Sequence, residues 1–165
     1  MPKLGLSLAT LLAIGVLAGC GGSSPAGDSP AMAATTSPQL AVAAKVKGPK
    51  LKVVESDYGR ILADGRGRAL YLFTADTGKT STCSGDCAAA WPPWIVKRKP
   101  RAASGAKGKL IGTTRRDDGR LQATYKGHPL YYYVGDRAPG EVKCQAVFEF
   151  GGHWYVVRAS GSAVR

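Results

Sequence analysis

Short apolar clusters separated by glycine-bearing turns dominate the chain from about residue 50 onward. Leu51-Lys52-Val53-Val54 is a first candidate strand. Ile61-Leu62-Ala63 runs into the turn Asp64-Gly65-Arg66-Gly67, and Ala69-Leu70-Tyr71-Leu72-Phe73-Thr74 returns as a second strand. The order then recurs: Lys109-Leu110-Ile111-Gly112, Leu121-Gln122-Ala123-Thr124-Tyr125, the turn Lys126-Gly127-His128-Pro129, and Leu130-Tyr131-Tyr132-Tyr133-Val134. Strand, glycine-bearing turn and strand is a hairpin signal. Both returning strands are apolar or aromatic at successive positions, which predicts cover on both faces or closure into a barrel. Trp94-Ile95-Val96 and Trp154-Tyr155-Val156-Val157 read as a third strand in each half. Asp86 to Trp91 has room for one helical turn before Pro92-Pro93 stops it.

The two halves are copies at an offset of 60 residues. Residues 59–98 laid on 119–158 are identical at 10 of 40 positions, where ordinary composition gives about 2 to 3. The identities include Gly59 with Gly119, Tyr71 with Tyr131, Asp76 with Asp136 and Trp94 with Trp154. The repeats are therefore 57–98 and 117–158, joined by a basic connector, 97–116. A hairpin-containing unit of about 40 residues exposes an apolar face on its own. The expected fold is mainly β: two tandem repeats packed as one small sandwich or barrel, with pseudo-two-fold symmetry and at most short helical turns.

Composition agrees with this reading. Gly 22 and Pro 10 in 165 residues favour turns and short strands over long helices. Charged residues at 21% and hydrophobic residues at 44% exclude a disordered polyelectrolyte. No apolar run reaches the roughly 18 residues that a membrane-spanning helix needs. The N-terminus differs in kind. Lys3 precedes an apolar stretch from Leu4 to Ala18, interrupted only by Gly, Ser and Thr, that ends in Leu17-Ala18-Gly19-Cys20. Such a core with a small-residue cleavage site marks export. It resembles a bacterial lipoprotein signal, and the resemblance implies that 1–19 are removed and that Cys20 is lipidated as the mature N-terminus. Acyl chains at about 0.8 kcal/mol per buried CH2 make that a stable membrane anchor. Residues 20–44 carry one charge, Asp28, and no aromatic side chain, which predicts a disordered tether. A single domain, 45–165, then carries the whole formal net charge of +12.

Tyr71-Leu72-Phe73-Thr74-Ala75-Asp76 and Tyr131-Tyr132-Tyr133-Val134-Gly135-Asp136 both fit the pattern Tyr-x-(Phe/Trp/Tyr)-x-x-Asp. With Thr82-Cys83-Ser84-Gly85-Asp86-Cys87-Ala88-Ala89-Ala90-Trp91-Pro92-Pro93 and Gly152-His153-Trp154-Tyr155-Val156-Val157, they resemble a bacterial family of secreted lipoproteins built on this repeat. The resemblance covers roughly residues 50–158 and implies a place in the cell envelope. That family has no established activity, so it brings no catalytic residue with it. Cys144 departs from its pattern. Read physically, Tyr71 and Phe73 share one strand face, Leu70 and Leu72 the other. Asp76 and Asp136 stand where carboxylates bond turn amides. The motif residues Tyr71, Phe73, Asp76, Tyr131, Tyr133 and Asp136 therefore read mainly as structure, with a ligand platform as the alternative.

Three cysteines remain beyond the anchor. Cys83 and Cys87, four apart in an oxidising compartment, favour a disulfide that contributes about 2 kcal/mol. That leaves Cys144 as another partner or a free thiol. The alternative is a copper or zinc site, or a redox site, on Cys83, Cys87 and one of Cys144, His128 or His153. No cofactor is otherwise predicted. No nucleophile elbow, zinc-protease helix or phosphate loop appears, and acidic residues are scattered, so an enzyme has little support. The connector holds Lys97, Arg98, Lys99, Arg101, Lys107, Lys109, Arg115 and Arg116 without an acid. It reads either as a solvated loop or as a surface for anionic envelope polymers and lipids, with Lys97, Arg98, Lys99 and Arg101 as candidates. Export disfavours nucleic acid. The expected protein is a lipid-anchored, extracytoplasmic envelope protein of binding or structural type. Its alternative is a metal-binding or electron-transfer accessory lipoprotein.

Overall fold

A computed structural model describes residues 48–165. The export signal, Cys20 and the tether fall outside the described residues. The fold is mainly β, as the apolar pattern predicts, arranged in three small three-stranded sheets. In the first, β1 (Lys50–Val54) turns Leu51 and Val53 inward. It pairs antiparallel with β2 (Ile61–Asp64), and parallel with β4 (Arg101–Ala102) so that Lys50 faces Arg101. The second sheet runs β3 (Tyr71–Phe73), β9 (Gly152–Val156), β8 (Val147–Glu149). The third runs β5 (Ile111–Arg115), β6 (Leu121–Tyr125), β7 (His128–Pro129). One short helix, α1 (Gly85–Ala90), ends at Trp91 just before Pro92-Pro93. A 3-10 turn, Gly108–Leu110, leads into β5.

Several local expectations are corrected. The returning strands are shorter than their apolar runs. Ala69 makes one bridge to Ala63 and Leu70 bonds the Leu62 carbonyl, after which the chain leaves the hairpin for β9. In the second repeat the turn is only Lys126-Gly127, and His128-Pro129 already pairs with Tyr125 and Thr124. Within residues 130–134 Tyr131 makes two isolated bridges, to Tyr71 and to Pro93, and no ladder forms. The early strand of the second repeat begins at Ile111, because 108–110 is the 3-10 turn. The connector is no simple loop, since it contains β4, that turn and β5.

The third segment of each repeat is exchanged. Trp94-Ile95-Val96 does not rejoin its own hairpin and forms no strand. Instead Trp94 N–H donates to the Leu130 carbonyl at 2.8 Å and Val96 N–H to the Leu121 carbonyl at 2.8 Å. β9 of the second repeat pairs with β3 of the first, Tyr71 opposite Val156 and Phe73 opposite Trp154. The repeats meet where the Tyr71 and Tyr131 amides and carbonyls bond reciprocally at 2.9 and 3.0 Å. This is the pseudo-two-fold centre. Alternation on β3 then sorts the core, as the sequence predicts. Leu70 and Leu72 enter one cluster with Leu51, Trp94 and Leu130, while Tyr71 and Phe73 enter another with Trp91 and Trp154.

Candidate functional site

At the pseudo-two-fold centre each motif tyrosine reaches the aspartate of the other repeat. Tyr71 hydroxyl donates to Asp136 Oδ2 at 2.6 Å, and Tyr131 hydroxyl donates to Asp76 Oδ2 at 2.7 Å. The second oxygen of each carboxylate holds the chain that follows it. Asp76 Oδ1 accepts from Thr82 N–H and Oγ1 at 2.8 and 3.0 Å. Asp136 Oδ1 accepts from Lys143 N–H at 2.9 Å. Burial raises both carboxyls above their ordinary range, and these hydrogen bonds oppose the rise. Burial and the facing carboxylates push both phenols well up, so the proton stays on tyrosine. No buried side-chain nitrogen or oxygen among the described residues lacks a partner. A fully satisfied network of this kind fixes one arrangement.

The other motif positions build an aromatic stack. Phe73 lies parallel to Trp154 at 4.1 Å, and Trp154 parallel to Trp91 at 4.2 Å. Tyr131 meets Trp154 edge-on, Tyr71 meets Trp91 edge-on, and Tyr133 leans on Trp91. Cys83 and Cys87 pack in the same cluster and are joined as a disulfide, with Cα atoms 5.3 Å apart. Cys144 is a free, half-buried thiol beside Tyr133, whose phenol it raises by hydrogen bonding. His128 sits on β7. His153 is exposed on β9, between the rings of Phe148 and Tyr155. Among the described residues no three His, Cys, Asp or Glu side chains gather as a metal-holding group.

The basic residues divide. Lys97, Arg98, Lys99 and Arg101 are exposed. The β1–β4 pairing brings Lys50 alongside Arg101, and Gly48 lies so close to the Lys99 carbonyl that a side chain there would collide. Arg116 behaves differently. Although it is read from sequence as part of the basic run, it is buried, and its guanidinium bonds the Ser81 hydroxyl, Gln122 Oε1 at 2.8 Å and the Cys83 carbonyl at 2.6 Å. It ties the disulfide loop of the first repeat to β6 of the second. The sequence signal was Gln122, a polar residue inside an apolar strand, which calls for a buried partner.

One feature escaped the sequence altogether. A cleft of about 290 Å³ opens where β3, the β6–β7 turn and the C-terminal segment meet, with Lys126, His128 and Arg165 in its wall.

A family model described as a secreted repeat of unknown function matches residues 52–94 and 112–158. The chain belongs to this family. The two matched stretches start 60 residues apart, the same offset as the internal repeat, and each contains one Tyr and one Asp of the crossed pairs. Membership makes the protein extracytoplasmic. In this chain the Tyr and Asp of the two matched stretches thus interlock the copies. No curated protein and no solved structure matches the chain.

Proposed function

We propose that the protein is a lipid-anchored, non-catalytic envelope module that holds anionic lipid or polymer surfaces through a basic edge. The observation that carries this reading is the parallel β1–β4 pairing. It gathers Lys50 and Arg101 with Arg98 and Lys99, beside Gly48, where the described residues begin. None of the ion pairs among the described residues involves Lys50, Lys97, Lys99 or Arg101. Positive charge that is not neutralised from within attracts anions from outside. The motif residues, by contrast, are occupied with one another. Their role is to hold two copies of the repeat as one rigid support.

Two outcomes test the reading. Cys20→Ser moves the protein from the membrane fraction to the soluble fraction, because the basic edge alone gives only salt-sensitive attachment. Retention on membranes at high salt would show a different anchor. In co-sedimentation, the Cys20→Ser protein, which lacks the lipid, binds anionic vesicles strongly at low salt and leaves them as the Debye length falls to about 8 Å near physiological ionic strength. Neutralising Lys97, Arg98, Lys99 and Arg101 to glutamine weakens binding at low salt. Binding that persists through these changes refutes the basic edge.

A further inference from the structure

The two repeats differ at one sheet edge. In the first sheet β1 is bonded on both sides, by β2 and by β4. On the β4 side Ala103 N–H donates to the Leu51 carbonyl and Val53 N–H donates to the Ser104 carbonyl, both at 2.8 Å. At the 60-residue offset the counterpart of β1 is β5, and the counterpart of residues 101–104 is 161–164. Those later residues do not cross to β5. Arg158 N–H donates to the Ser162 carbonyl and Val164 N–H to the Val156 carbonyl, which keeps them beside β9. β5 therefore pairs with β6 alone.

The ladder shows which groups this leaves over. At the two ends of the β5–β6 pair, Arg116 N–H donates to the Arg120 carbonyl and Lys126 N–H to the Leu110 carbonyl. Main-chain groups alternate in an antiparallel pair. Gly112 and Thr114 thus bond β6, while Ile111 and Thr113 turn outward. The Ile111 carbonyl and both main-chain groups of Thr113 bond no described residue. They include the counterparts of the Leu51 carbonyl and the Val53 amide, the two groups that residues 103 and 104 satisfy. Side-chain cover follows the same difference, since Val53 is buried and Thr113 half-buried.

An open strand edge is a template for another strand. The first repeat gives the geometry of the added strand: parallel, with one amide on the Ile111 carbonyl and one carbonyl taking the Thr113 amide. Charge gives its chemistry. Lys107 and Lys109 stand before β5 and Arg115 ends it, all exposed. Of the two acids in the turn that follows, Asp118 is taken by Arg116 and Arg120, which leaves Asp117. A second copy of this chain would bring the same cations, and a formal net charge of +12, to the same edge. An acidic segment complements it.

We propose that β5 is a docking edge for an extended acidic segment of another protein, which supplies in the second repeat the strand that β4 supplies in the first. The test is selection of phage-displayed random twelve-residue peptides on the full chain in detergent, then titration with the selected peptides. The selected peptides are acidic. Their binding slows hydrogen exchange of the Thr113 amide at least tenfold, whereas the Gly112 and Thr114 amides are slow already without peptide. Thr113→Pro removes only the outward amide, and proline is tolerated on an edge strand. It weakens peptide binding at least tenfold and leaves the thermal midpoint within a few degrees. A larger drop in the midpoint leaves the decision to amide exchange in the unaltered chain. Lys107→Gln, Lys109→Gln and Arg115→Gln together weaken binding several-fold, while Lys97→Gln, Lys99→Gln and Arg101→Gln together leave it intact. Absence of acidic peptides from the selection overturns the proposal, as does peptide binding that leaves the Thr113 amide fast. Dimerisation of the free chain that slows the same amide also overturns it, because the occupant is then a second copy.

Discussion

Asp136→Ala is expected to destabilise the domain by about 2–5 kcal/mol in denaturant unfolding, a large share of the total for a chain this size. The change strands the buried Tyr71 hydroxyl and takes the acceptor from the half-buried Lys143 amide. Each unsatisfied group costs about 1–3 kcal/mol. The coupling pattern is more telling than the loss. A double-mutant cycle of Tyr71→Phe with Asp136→Ala should show about 1–2 kcal/mol of interaction, and so should Tyr131→Phe with Asp76→Ala. Cycles within one motif, Tyr71 with Asp76 or Tyr131 with Asp136, should be additive within about 0.5 kcal/mol. Coupling within a motif and none between would contradict the crossed arrangement. The network also has a pH signature. Burial raises both carboxyls in the folded state, so their contribution is fully present below the ordinary carboxylate value. It is lost as pH rises through the raised one. Asp76→Asn and Asp136→Asn should flatten that part of the stability–pH curve.

Trp154→Ala should cost about 3–5 kcal/mol and lower the thermal midpoint by roughly 12–20 °C. Trp154 is fully buried, with Phe73 on one face, Trp91 on the other and Tyr131 at its edge. No neighbouring side chain can fill the gap, because both flanking rings belong to separate segments fixed by their own bonds. The same substitution should erase most of the near-ultraviolet circular dichroism. Phe148→Ala, on the exposed face of the same sheet, should change stability by less than about 0.5 kcal/mol. A loss from Trp154→Ala no larger than that would remove the stack from the centre of the fold.

Much of this architecture was legible in the residues. The self-match at 60 residues gave the two repeats, the alternation around Tyr71 gave the two-sided burial of β3, and Leu121 to Tyr125 is strand from end to end. What was hidden depends on partners far away along the chain. A self-match shows that Tyr71 and Tyr131 are equivalent, but not that each bonds the other repeat's aspartate. β4 and β7 are two residues each and carry no periodicity of their own. Arg116 looked like its charged neighbours, because burial of a cation is set by Gln122 and the Cys83 carbonyl and not by local composition.

The crossed pairs also set the order in which the molecule can form. Tyr71 waits for a carboxylate 65 positions later, and β3 waits for a strand that begins at Gly152. The first repeat emerging from a translocation channel has neither. It stays open, with Trp91 and Phe73 unsheltered, until nearly the whole polypeptide has crossed. Contacts between distant positions make folding slow, because the loop must close before it is rewarded. For an exported chain that delay is useful, since the polypeptide remains threadable through the membrane and locks only on the far side.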